Sequence, residues 1–115
     1  MNREEMAANC MEMIGYAGEG RSLVYEAVDL LVEEEYQAAL EVVIRAEDEL
    51  LKAHEIQFMR LMSRQADDEE LPADMLLLHA MDILMAATSE KDLVKAIVQA
   101  KIRKRKRTET DRRET

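Results

Sequence analysis

Met6, Cys10, Met13, Ala17, Gly20, Val24, Ala27 and Leu31 recur in steps of four and three, the spacing of one face of an α-helix. A second row, Tyr36, Ala39, Val43, Ala46, Leu50, Ala53 and Gln57, runs beside a third, Leu40, Ile44, Leu51, His54, Phe58 and Leu61. Together these two rows predict a broad buried face on a helix of about thirty residues. Glu33, Glu34 and Glu35 interrupt the apolar pattern between the first and second helices and predict a tight connection there. QADDEELPAD, residues 65–74, is the clearest loop. Its Pro72 suits the first turn of a third helix, where the missing N–H is harmless, and its acidic residues complement that helix's N-terminus. The third helix is expected from about Pro72 to beyond Ala100, with the row Met75, His79, Asp82, Ala86, Ser89, Leu93, Ala96 and Ala100. Three long helices with short connections predict an all-α fold, an antiparallel up-down-up bundle.

The third helix does not fit a bundle of one chain. From Met75 to Ala87 it is apolar almost all round, the pattern of a helix covered on every side. Two partner helices cannot supply that cover, so further copies of the chain are expected. Composition agrees with the helical class: 48 % of the residues are hydrophobic, three are glycine and one is proline. Gly15, Gly18 and Gly20 fall within the first helix, where they permit a kink or a close approach. The segment GYAGEGRS lacks the Gly-Lys-Ser/Thr of a phosphate loop.

Charge divides the chain unevenly. Residues 1–100 hold 8 Lys/Arg and 22 Asp/Glu, a net −14, whereas residues 101–115 hold 8 Lys/Arg and 3 Asp/Glu, a net +5. Residues 1–103 read as one helical domain and residues 104–115 as a basic tail, expected to be frayed or disordered. The acidic body argues against a nucleic-acid surface. Cys10, the one cysteine, cannot form a bridge within the chain, which suits a reducing cytoplasm. No uncharged run approaches the roughly 20 residues of a membrane span, so no membrane insertion is expected.

The segment LLLHAMDILM, residues 76–85, carries one histidine and one aspartate among apolar residues. No lysine or arginine lies between Arg64 and Lys91 to pair with Asp82. His79 and Asp82 are three apart, so they are neighbours on one helix face. Three readings fit: a hydrogen-bonded pair, a pair of metal ligands, or an imidazole nucleophile or base oriented by a carboxylate. Copies related by rotation would bring identical Asp82 carboxylates together, where repulsion calls for raised pKa values or a bound magnesium or calcium ion. His54 and Gln57 share the same three-residue spacing on the second helix; local hydrogen bonding and a supporting role at the site both fit them.

MNREEM, then Tyr16-Ala17-Gly18 followed by Arg21-Ser22, then Ala53-His54 with Gln57, then EELP, then His79-Ala80-Met81-Asp82-Ile83-Leu84-Met85 occur in this order. Over residues 1–100 the chain resembles enzyme IIA of the lactose/cellobiose/chitobiose type of the bacterial sugar phosphotransferase system. The strongest piece is the last, matching the family's His-Ala-Gln-Asp-His-Leu-Met. The resemblance implies a homotrimer of three-helix subunits in the cytoplasm. It implies that His79 accepts a phosphoryl group from the phosphocarrier HPr and passes it to a cysteine of the matching enzyme IIB. It further implies that three Asp82 carboxylates meet at the threefold axis around a metal ion, magnesium (Mg2+), with His54 and Gln57 as supporting residues. Met81 and Ile83 replace the family's glutamine and second histidine, both able to donate hydrogen bonds near a phosphate. A regulatory paralogue that keeps the trimer and its partners without transferring the group is the alternative reading.

Overall fold

Helix α1, Arg3–Val32, starts at Asn2, whose side chain accepts a hydrogen bond from the Glu5 N–H at 2.8 Å. It ends at the glutamate triplet. Glu34 takes a left-handed φ of 60°, and the N–H groups of Glu34 and Glu35 fold back onto the carbonyls of Leu31 and Leu30 at 3.0 and 2.9 Å. Those bonds satisfy carbonyls that a helix end otherwise leaves open. The second rod comprises α2, Tyr36–Glu55, a π-helical segment, Ile56–Met62, and α3, Ser63–Ala66. Helix α4, Met75–Glu114, follows a loop. It begins at Met75 rather than at Pro72 because Asp74 supplies the cap: its side chain accepts from the Leu77 N–H at 3.1 Å. The computed structural model describes residues 1–114, and among them there is no β-strand.

Ion pairs show the directions of the rods. The Met1 ammonium lies 3.5 Å from Glu69 and Arg64 lies 3.5 Å from Glu5, so the start of α1 meets the end of the second rod. Arg105, far along α4, bonds to the carbonyl of Glu34 beyond the end of α1. The bundle is therefore up-down-up, as the pattern predicts. Two apolar clusters fill it, one around Met13, Leu50 and Leu84 and the other around Val24, Val43 and Val98. Cys10 is fully buried in the first, and burial, aided by the Asp74 carboxylate, pushes its thiol pKa up. Such a thiol is an inert packing group.

Helix α1 buries the row its sequence predicts, except that Leu31 is only partly covered. Gly20 is there for contact. A Cβ at that position would stand 2.8 Å from Leu50 Cγ and 3.3 Å from the Ala46 carbonyl oxygen, whereas one at Gly15 would meet nothing within 4 Å. The first row of the second rod is buried from Tyr36 to Ala53. The neighbouring row is buried only at Leu61: Ile44, Leu51 and Phe58 are exposed, and Leu40 and His54 are half-buried. The π-helical segment accounts for Leu61, because its wider turns carry burial from Ile56 to a residue five positions on.

In α4 the buried side is Ala80, Leu84, Ala87 and Val98. The row predicted from Met75 to Ala100 faces away from the other helices, and every member of it is exposed. Met75 is 79 % accessible, Met85 67 % and Leu93 63 %. The basic segment expected to fray is helical to Glu114. Ile102 packs on the second cluster, and the Arg105 guanidinium sits 4.3 Å over the Tyr36 ring. With no glycine or proline after Pro72, nothing interrupts the ladder of α4.

Gly20→Ala is expected to destabilise the fold in urea titration. Overpacking against Leu50 costs about 1–3 kcal/mol and outweighs the roughly 1 kcal/mol of helix propensity gained. Gly15→Ala, in open space, should instead stabilise by about 0.5–1 kcal/mol. Equal effects at the two positions would show that the α1–α2 approach at Gly20 does not matter.

Candidate functional site

The first turns of α4 are built from strong helix formers, Met, Leu and Ala, behind the Asp74 cap. They hold His79 and Asp82 on the outward row, with Met75, Leu78 and Met85 exposed around them. Neither residue has a hydrogen bond or ion pair among the described residues. The reading of a mutually bonded pair inside one chain is therefore not met: the imidazole and the carboxylate stand on a helix face open to solvent and need no internal partner. Both ring nitrogens of His79 are free to react. Among the described residues, no group of three or more His, Cys, Asp or Glu is placed to hold a metal. One carboxylate offers two oxygens, and a magnesium ion takes about six ligands, several of them often waters. Asp82 of a single chain fits such an ion only as one contributor among several.

His54 is held quite differently. It projects from the end of α2 into the seam with α4. Its Nε2 lies 3.1 Å from Thr88 Oγ1, and the Thr88 hydroxyl donates to the Leu84 carbonyl at 2.8 Å. Its Nδ1 faces the Gln57 side-chain amide at 3.4 Å, the long end of hydrogen bonding. The two ring nitrogens thus meet Thr88 Oγ1 and Gln57 Oε1, and the tautomer sets which of them donates. His54, Gln57, Met81, Met85, Thr88 and Ser89 line a cleft of about 250 Å3. The structure thus brings His54, Gln57 and Met81 together and leaves His79 and Asp82 outside that cleft. Thr88 was not singled out by sequence reasoning; it is 34 positions from His54, and no local spacing announces the contact.

Further along the same seam, Glu47 receives Lys91 at 3.2 Å and Lys95 at 2.9 Å. Burial alone would raise the Glu47 pKa. The hydrogen bonds from Lys95 and Lys91 outweigh it and hold the carboxyl below its ordinary 4.5. Burial likewise works against the Lys91 charge, but bonds to Asp92 and Glu47 prevail and raise its pKa. On the α1 side, Arg21 clasps Glu90 with two bonds of 3.0 and 2.9 Å. These contacts tie α4 to both partner helices by its inner side and leave the outward row untouched.

The fold and this open face define a small three-helix bundle that presents a free histidine on an uncovered apolar row. Residues 8–101 match the family model described as the lactose/cellobiose-specific IIA subunit of the phosphotransferase system. The chain belongs to that family. It is 34 % identical over 99 residues to the lactose-specific EIIA component of Streptococcus mutans, covering 86 % of this chain and 94 % of that one. It is 32 % identical over 96 residues to the lichenan-specific enzyme IIA component of Bacillus subtilis, covering 84 % and 86 %. The crystal structure of PtcA from S. mutans superposes with a TM-score of 0.84 at 33 % identity, covering 88 % of this chain and 98 % of that one. The cellobiose-specific enzyme IIA of Bacillus anthracis gives 0.77 at 26 % identity, covering 90 % and 92 %. No helix among the described residues is long and apolar enough to cross a membrane.

The lowered Glu47 pKa sets an acid limit on the α2–α4 seam. A carboxylate with a depressed folded pKa stabilises the fold above its ordinary pKa and loses that contribution as pH falls through the folded value. Thermal stability should therefore decline on acidification below about pH 4.5. Glu47→Gln should be less stable at pH 7 and lose less on acidification. Parallel pH profiles for the two proteins would remove Glu47 from that role.

Proposed function

We propose that this chain is a cytoplasmic phosphocarrier of the phosphoenolpyruvate-dependent sugar phosphotransferase system. In this reading His79 accepts a phosphoryl group from HPr and passes it to a cysteine of the matching enzyme IIB, serving uptake of a lactose/cellobiose/chitobiose-type sugar. The observation that carries the proposal is the contrast between the two histidines. His79 is exposed with both nitrogens free on an apolar face, whereas His54 is tied to Thr88 and faces Gln57. A neutral imidazole lone pair attacks phosphorus, a nitrogen–phosphorus bond forms, and the bond from phosphorus to the donor breaks. In the second step the enzyme IIB thiolate attacks, and His79 is the leaving group. Such transfers ask mainly for alignment and stabilised charge. Met75, Leu78 and Met85 give successive partners an apolar surface, and closing that surface excludes water from the phosphohistidine.

The same face is proposed to assemble the chain. Three copies packed by the stretch of the outward α4 row from Asp82 to Ala100 would bury Ala86, Leu93 and Ala96 and bring three Asp82 carboxylates together, with His79, one turn nearer the start of α4, at the open rim where partners dock. Magnesium is the proposed cofactor there, and when bound it neutralises the mutual repulsion of those carboxylates. Each Asp82 contributes oxygen ligands, and the apolar residues of the row shield the group from bulk solvent. The alternative, a regulatory paralogue that binds partners without transferring the group, draws on Met81 and Ile83. Met81 lines the His54 cleft and Ile83 packs against the first apolar cluster, and neither side chain can donate a hydrogen bond to a phosphate.

Incubation with HPr, enzyme I and phosphoenolpyruvate should add one phosphoryl group per chain, read by intact mass. The adduct should be acid-labile and base-stable. His79→Ala should abolish labelling and leave the fold intact; His54→Ala should still label. An unlabelled wild type that is rescued by Met81→Gln with Ile83→His would favour the regulatory reading, and labelling that survives His79→Ala would overturn the site. For assembly, sedimentation equilibrium should give the mass of three chains. Asp82→Leu should keep the trimer and remove its metal dependence, and a trimer that falls apart on that change would refute the axial role.

A further inference from the structure

Resting on the trimeric assembly proposed above, we infer that Arg103 and Arg107 of three copies form a binding site for a short polyphosphate chain. The outward row of α4 advances through Asp82, Ala86, Ser89, Leu93, Ala96 and Ala100 in alternating steps of four and three. This is the spacing of a helix seam that packs against copies of itself. The next two positions of that progression are Arg103 and Arg107. Helix α4 is unbroken from Met75 to Glu114, so the register that places Asp82 and Leu93 on the shared axis places both arginines there too. Ala86, Ser89, Ala96 and Ala100 are small and permit a close approach of the helices just before the arginines.

The charge in this zone has no counterweight within the chain. Arg103 and Arg107 have no hydrogen bond or ion pair among the described residues. Arg105, between them, is turned the other way and held on Tyr36 and the Glu34 carbonyl. The following seam positions, Thr110 and Glu114, are not basic, so the cationic zone is two layers deep and no more. Four residues of α-helix rise about 6 Å, which matches the length of two or three linked phosphoryl groups better than that of one. Guanidinium forks grip phosphoryl oxygens in pairs. The family match ends at residue 101, so both arginines lie beyond it.

A broad polyanionic surface fits less well. After Ile102 the helix has no apolar residue to enter lipid, and the body, at −14 over residues 1–100, repels both anionic bilayers and nucleic acid. A compact anion can instead enter the axis and relieve the repulsion between arginine layers. Inorganic tripolyphosphate and the phosphate chain of a nucleotide share this chemistry.

Isothermal titration with sodium tripolyphosphate in metal-free buffer tests the inference. The full-length Asp82→Leu protein is used, with the mass followed by sedimentation in the same buffer. One anion per three chains is expected. Arg103→Gln with Arg107→Gln should weaken binding by at least about tenfold, the scale of losing charge-assisted hydrogen bonds. Lys106→Gln with Arg113→Gln removes the same charge off the seam and should change affinity little. Equal weakening by the two pairs would overturn the inference, as would one anion per chain, or tighter binding to duplex DNA or anionic vesicles. A trimer that binds no tripolyphosphate defeats this site alone; a monomer in the same buffer defeats the assembly and the site together. ATP binding as tightly as tripolyphosphate would support a nucleotide as the source, and ATP exclusion beside tripolyphosphate binding a free inorganic chain.

Discussion

Helix α4 has apolar residues on two opposite faces, and the two helices it packs against can cover only one. Ala80, Leu84, Ala87 and Val98 take the inner position, against the apolar faces that α1 and α2 bury around Met13, Val24, Val43 and Leu50. The other face, from Met75 to Ala100, is left in water. Exposed apolar area on this scale is unfavourable at roughly 25 cal/mol per Å2, and a long continuous row of it marks a surface meant for contact. The histidine and aspartate of the segment sit on that row, so the surface that needs covering also carries the two polar side chains left without partners among the described residues.

The two histidines illustrate how packing assigns roles. His54 and His79 each lie three positions before a polar residue, Gln57 and Asp82, on the same helix face. The π-helical segment that follows α2 closes the lower end of the second rod against α1, and the seam with α4 captures His54 through Thr88. Once its nitrogens are engaged, an imidazole is a structural polar group, well placed to orient but not to attack. His79 escapes capture because its face of α4 has no opposing helix. The free imidazole and the uncovered face are one structural fact.

Electrostatics separates along the rod in the same way. The inner side of α4 is pinned by Glu47 with Lys91 and Lys95 and by Arg21 with Glu90, pairs that cross between helices near the middle of the bundle. Such partly exposed pairs add little net stability singly; their value lies in fixing the rotation of α4, and hence which face looks out. Beyond the bundle Arg103 and Arg107 make no ion pair among the described residues, and Arg105 is folded back onto Tyr36.

What the sequence by itself determined is local. The steps of three and four, the glutamate break and the acidic loop depend on residues within a few positions of one another, so three helices and their order could be read directly. The segment from His79 to Met85 also carried its resemblance, in five of seven consecutive positions. The excess of apolar surface on the third helix was legible for the same reason. What only the tertiary structure decided depends on residues far apart. Which of the two faces of α4 turns inward follows from the shapes of α1 and α2 together. The passage of burial from Ile56 to Leu61 follows from a π-helical segment that no apolar period reveals. The engagement of His54 needed Thr88, 34 positions away. The basic segment became part of a helix because Ile102 and Arg105 found α1 and Tyr36 beside them. Periodicity states that a residue has a face; only packing between distant segments decides what that face meets.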